Sequence, residues 1–66
     1  MKKYYETLVF LAELATKSGP DEYEIVDYAL GFIPFKNGEN MTSTVGNNFI
    51  KVAHWLLDVT DKNLNP

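Results

Sequence analysis

The only histidine is His54, and any acid–base chemistry in this chain would start there. A hydrolytic site needs such a base beside a nucleophile, with an acid to orient it. Asp58 lies one helical turn further on and is placed to orient the imidazole, but neither Ser18 nor Ser43 has the setting of a nucleophile; both read as helix-end residues. The plainer expectation is an exposed pair at i,i+4 spacing. One histidine and no cysteine leave no ligand set for a transition metal, and neither a P-loop nor a dinucleotide-binding glycine pattern is present. The chain is therefore expected to be non-enzymatic, with no catalytic residues, no metal and no cofactor.

A second feature is the run Asp21, Glu22, Glu24 and Asp27, four carboxylates within seven residues. Calcium would need them on a wrapping loop with a central glycine, which is absent. General acid–base catalysis would need a cleft that drives two carboxyl groups apart in pKa, and 66 residues barely supply one. A surface that attracts a basic partner remains. The chain carries six lysines, no arginine and nine carboxylates, a net charge of -3. Outside the run, six lysines face five carboxylates, a net of +1, so the negative charge is localised. With a pI near 4.8 and no arginine for bidentate contacts, direct nucleic-acid binding is disfavoured.

These residues need elements to hold them. Lys2 to Ser18 is rich in helix formers and stops at Gly19-Pro20, so a helix over about 3–18 is expected. Tyr4, Tyr5, Leu8, Leu11, Ala12 and Ala15 share one face, and Val9 and Leu14 widen it. Phe10 falls near the polar stripe of Glu6, Glu13 and Lys17, beside Leu14. Pro20 opens a second segment with carboxylates in its first turn, which suits the positive end of a helix dipole. The β-branched and aromatic content from Tyr23 to Phe35 suits a strand, but the pairs Ile25/Ala29 and Val26/Leu30 favour a helix over about 20–31, ending at Gly31. That helix sets Asp21, Glu24, Asp27 and Tyr28 on one face.

Residues 32–40 form an apolar connector. Asn37-Gly38 signals a tight turn, and Pro34 would confine any hairpin to a sheet edge, so Phe32, Ile33 and Phe35 are expected to fold over the helices as a lid. A third helix over about 43–61, capped by Thr42 or Ser43, places Val45, Phe49, Val52, Ala53, Leu56 and Val59 inward, with Ile50 and Leu57 broadening that face. Asn47, Lys51, His54 and Asp58 face out, and Trp55 lies on the border.

The expectation is a single small all-α domain of three helices spanning residues 1–66. No segment is apolar enough for a membrane span, and Glu6 and Glu13 interrupt the only candidate leader, so a cytoplasmic protein is expected. Without disulfides, a chain this short buries only about 60% of its unfolded surface and needs dense packing or a partner. Two contact surfaces follow. Asp21, Glu22, Glu24, Asp27 and Tyr28 would dock an acidic helix onto a basic protein, as in an inhibitor or an anti-defence or accessory protein of a mobile element, with Trp55 as a further contact. Phe10 and Leu14 would bury surplus apolar surface in a homodimer. A structural, self-associating subunit and a small helix-turn-helix reading nucleic acid through Asn47, Asn48, Lys51 and His54 are the alternatives.

Overall fold

The computed structural model of the chain describes residues 2–66. It begins with helix α1 (Lys2–Ser18), followed by strands β1 (Tyr23–Tyr28), β2 (Gly31–Lys36) and β3 (Glu39–Asn40), the four-residue helix α2 (Thr42–Val45) and helix α3 (Phe49–Leu64). The strands form one antiparallel sheet in the order β1-β2-β3. The fold is therefore α+β, not all-α: the expected helix over 20–31 and the lid over 32–40 are both strand.

The reason lies in residues 23–28. Four of these six, Tyr23, Ile25, Val26 and Tyr28, are β-branched or aromatic. Tyr23 and Ile25 are buried while Glu24 and Val26 are exposed, a period of two. The i,i+4 pairs that suggested a helix are broken by the turn, because Ala29 and Leu30 form the two-residue loop between Tyr28 and Gly31. Neither of those loop residues has positive φ, so the turn is not of the primed type that matches strand twist; Gly31, at φ 143°, absorbs the mismatch. The second turn does use the primed geometry, with Asn37 at φ 52° and Gly38 at φ 81°.

Pro34 occupies the middle strand, where sequence reasoning excluded it. β2 turns alternate backbone groups to its two sides. Phe32 N–H donates to the Asn47 carbonyl (2.8 Å) and the Pro34 carbonyl accepts from Met41 N–H (2.7 Å), both away from β1. The missing N–H of Pro34 thus points toward β3, whose pairing extends only to Phe35 and Lys36 and asks nothing of it. The Pro34 ring is fully buried in the core.

α1 and α3 cover one face of the sheet, α1 over β1 and α3 over β2. The two helices run parallel. Tyr4 stacks on Phe49 at their N-terminal ends, with ring centroids 4.8 Å apart, and Asn63 Nδ2 donates to Ser18 Oγ (3.1 Å) at their C-terminal ends. Between the layers lie Leu8, Ala12, Ala15, Tyr23, Ile25, Phe32, Val52, Ala53 and Leu56. Three of those nine are alanine, so the core is thin.

The expected third helix is two helices. Gly46 (φ 108°) ends α2, and Asn48 Oδ1 accepts from Lys51 N–H (2.9 Å) to cap α3. Asn47, between them, is a structural staple. Its carbonyl takes the Phe32 N–H, and its side-chain amide donates to Tyr28 Oη (3.1 Å) and to the Leu30 carbonyl (3.4 Å). No helix among the described residues is long and apolar enough to cross a membrane.

Candidate functional site

The carboxylates expected on one helix face are distributed by a strand instead. Asp21 is engaged locally: its Oδ1 accepts from Asn37 Nδ2 (2.9 Å), and Lys36 Nζ lies 3.9 Å from its Oδ2. Glu22 is exposed, and its backbone exchanges hydrogen bonds with Asn37, whose N–H donates to the Glu22 carbonyl and whose Oδ1 accepts from Glu22 N–H, each at 2.8 Å. Glu24 projects from the face of the sheet away from the helices and Asp27 from the helix side, because residues three apart on a strand lie on opposite faces. Tyr28 shares the outer face with Glu24 and is half-buried through its bond from Asn47. The five residues therefore do not form a single face.

Glu24, Asp27 and Tyr28 do share one strand. β1 is the outer strand of the sheet. Since Phe32 and Pro34 aim their backbone groups away from β1, Gly31, Ile33 and Phe35 aim theirs toward it and pair with Tyr28, Val26 and Glu24. Tyr23, Ile25 and Asp27 then present their N–H and C=O groups on the open side. Tyr23 is closed off by α1: its N–H donates to Thr16 Oγ1 (2.9 Å), which in turn lies 3.4 Å from the Tyr23 carbonyl. The backbone groups of Ile25 and Asp27 have no partner among the described residues.

A shallow hollow runs beside this open edge, between α1 and β1. Its floor is Tyr5, Val9, Tyr23 and Ile25, and Glu13 and Glu24 stand at its rim. An open ladder over an apolar floor with an anionic rim offers hydrogen bonds, aliphatic contact and charge to one extended chain. Comparison with protein-family models, curated proteins and solved structures gives no match.

The remaining candidates sit elsewhere. Phe10 and Leu14 are exposed on the outward side of α1, at 58% and 39%. Trp55 is partly buried and packs edge-on against Tyr23 (centroids 5.2 Å apart, 75°), which makes it a flank of the core. His54 is exposed, and Asp58 does not orient it; that carboxylate pairs with Lys62 at 3.1 Å. Among the described residues no cluster of three His, Asp or Glu side chains is placed to hold a metal ion. Sequence reasoning missed Thr16, Glu13 and the backbone of Ile25 as parts of the site. The signal for them was the alternation of Tyr23 and Ile25 with Glu24 and Val26.

Burial pushes the Tyr23 phenol above its usual range, and the neighbouring Asp21 carboxylate adds to the shift. Folding thus favours the neutral phenol. Its contribution is complete below the unfolded value of 10.0 and disappears as pH rises from there through the higher folded value. Urea midpoints measured on either side of pH 10 should fall less steeply for Tyr23→Phe than for the native chain, with neutral-pH stability changed by less than about 1 kcal/mol. Equal slopes for the two proteins would remove Tyr23 from the alkaline transition.

Proposed function

We propose that this chain is a non-enzymatic protein-interaction module that captures a basic, extended segment of a partner protein by strand addition to β1. The observation that carries this reading is the unpaired N–H and C=O of Ile25 and Asp27 beside the hollow rimmed by Glu13 and Glu24. Exposed strand edges are ordinarily blunted with charge to prevent self-pairing. Glu24 and Asp27 do that here, since two copies of β1 would bring like charges together. The same carboxylates favour a segment with Lys or Arg at alternate positions, whose aliphatic stems suit the apolar floor and whose heads meet the rim. Many such segments belong to surfaces that hold a nucleic-acid backbone. Capture of one would exclude the nucleic acid, and the module would act as an inhibitor. The acidic surface this requires is a strand edge, not a helix. The helix-turn-helix alternative loses its basis, because its middle helix is strand and α2 has only four residues.

The test is an NMR titration of the 15N-labelled protein with a synthetic alternating Lys/Val peptide, with a Glu/Val peptide as control. The basic peptide is expected to shift the Ile25 and Asp27 amides and to slow their hydrogen exchange, in a salt-dependent way. Asp27→Pro removes an outward N–H without touching the β1–β2 ladder, and it should abolish the effect. Shifts confined to α3, or equal response to both peptides, would overturn the reading.

A further inference from the structure

A strand added to β1 must run in one of two directions, and the open edge distinguishes them. Ile25 and Asp27 each offer one N–H and one C=O. An antiparallel neighbour returns both bonds of a residue to the single residue opposite it, so three consecutive residues satisfy all four groups. A parallel neighbour bonds through the residues flanking the opposite position. It would need five residues in register, from opposite Glu24 to opposite Tyr28, the last residue of the strand. The antiparallel match orders fewer residues for the same bonds, and its pairing is the more stable per residue.

One end of the added strand is also fixed. At Tyr23 the Thr16 hydroxyl takes the N–H at 2.9 Å and lies 3.4 Å from the carbonyl, so it occupies the place of the next residue of an added strand. A captured segment can pass Glu24 but must leave the sheet there.

Direction and end together set what each side chain meets. Running antiparallel, the first residue of the segment lies opposite Asp27, the second opposite Val26, the third opposite Ile25 and the fourth opposite Glu24. The first and third share the helix side; the second and fourth share the outer face. Directly opposed side chains are the ones that interact across a ladder. The first therefore meets the Asp27 carboxylate. The second meets Val26, an exposed apolar side chain. The third lies over the hollow, where Tyr5 and Val9 suit an aliphatic stem and Glu13 a cationic head. The fourth meets the Glu24 carboxylate. Asp27, Glu13 and Glu24 have no ion-pair partner among the described residues, whereas Asp21, outside this register, has Lys36.

We propose that β1 captures its segment antiparallel and reads four residues in the order basic, apolar, basic, basic. This order rests on strand addition to β1, and it adds the direction and register of the captured chain. Thr16 is the stop that holds the register, and Glu13, on a helix, reads the third residue.

Two peptides of one composition test it: Lys-Val-Lys-Lys and its reverse, Lys-Lys-Val-Lys, each flanked by Gly-Ser. They are titrated at low ionic strength into the 15N-labelled native chain and followed at the Ile25 and Asp27 amides. The forward order is expected to bind about fivefold more tightly, because the reverse order in the same register sets valine over the hollow and lysine on Val26. Glu13→Gln should weaken the forward peptide about threefold and leave unchanged a peptide with alanine in third place. A nitroxide on the amino end of the forward peptide should broaden the Tyr28 amide, and one on its carboxyl end the Thr16 and Tyr23 amides. Equal affinity for the two orders, or broadening at the opposite ends, overturns the direction and leaves capture at β1 standing. If neither peptide shifts Ile25 or Asp27, capture itself fails and the order fails with it.

Discussion

Gly31→Ala is expected to destabilise the protein by about 2–4 kcal/mol, a large share of the roughly 3–10 kcal/mol that a chain of this length holds in total. Two costs coincide at this residue. Its φ of 143° is closed to an L side chain, and a β-carbon there would collide with the Asn47 carbonyl oxygen. That oxygen is the acceptor for Phe32 N–H, so any shift that relieves the collision breaks the hydrogen bond joining the β1–β2 hairpin to the α2–α3 junction. Gly38→Ala is the control. Gly38 also has positive φ, 81°, but nothing lies within 4 Å of the position a β-carbon would take, so the cost should be only about 1 kcal/mol. Urea denaturation followed by circular dichroism, at one low protein concentration, compares the two. If Gly31→Ala costs no more than Gly38→Ala, the contact with Asn47 is not a constraint on the fold.

Leu56→Ala is expected to cost about 2–5 kcal/mol, the range for a fully buried leucine whose neighbours cannot collapse into the space left behind. Leu56 is completely buried where α3 meets the sheet and α1. Leu30→Ala, at 79% exposure, should change stability by less than about 0.5 kcal/mol. Alanine neighbours sharpen the contrast. Ala12, Ala15 and Ala53 have no rotamers with which to fill a cavity, so the larger figure in the range is the relevant one. Thermal unfolding of both variants separates the outcomes, and a loss below 1 kcal/mol for Leu56→Ala would show that the core repacks.

α1 was readable from the sequence because one period of 3.6 runs uninterrupted from Tyr4 to Ala15 and the Gly19-Pro20 stop is unambiguous. The same period set Phe10 beside the polar stripe, and the structure leaves it exposed. α3 was readable as a stripe but not in its start, because the apolar pattern continues through Val45 and hides the Gly46-Asn47-Asn48 break. Residues 20–31 failed for a different reason. The turn Ala29-Leu30 happens to put apolar side chains four residues after Ile25 and Val26, and that coincidence imitates a helix. A strand there is stabilised mainly by pairing with β2, which a reading of side-chain periodicity within the segment does not weigh. The acidic residues were visible as composition, but their directions depend on the period assigned. At 3.6 Glu24 and Asp27 share a face; at two they are on opposite faces of one open edge.

The parallel pairing of α1 and α3 carries a consequence for the order of folding. The β1–β2 hairpin closes over a two-residue loop, and such hairpins form in about 1–10 μs. α1 meets α3 only after the whole sheet and α2 have been passed, as the Ser18–Asn63 bond across 45 residues records. The entropy of closing that long loop must be met before any α1–α3 contact is rewarded. The sheet is therefore expected to form early and the helix pairing to close at the rate-limiting step, so substitutions at the α1–α3 contact should act chiefly on how fast the chain folds.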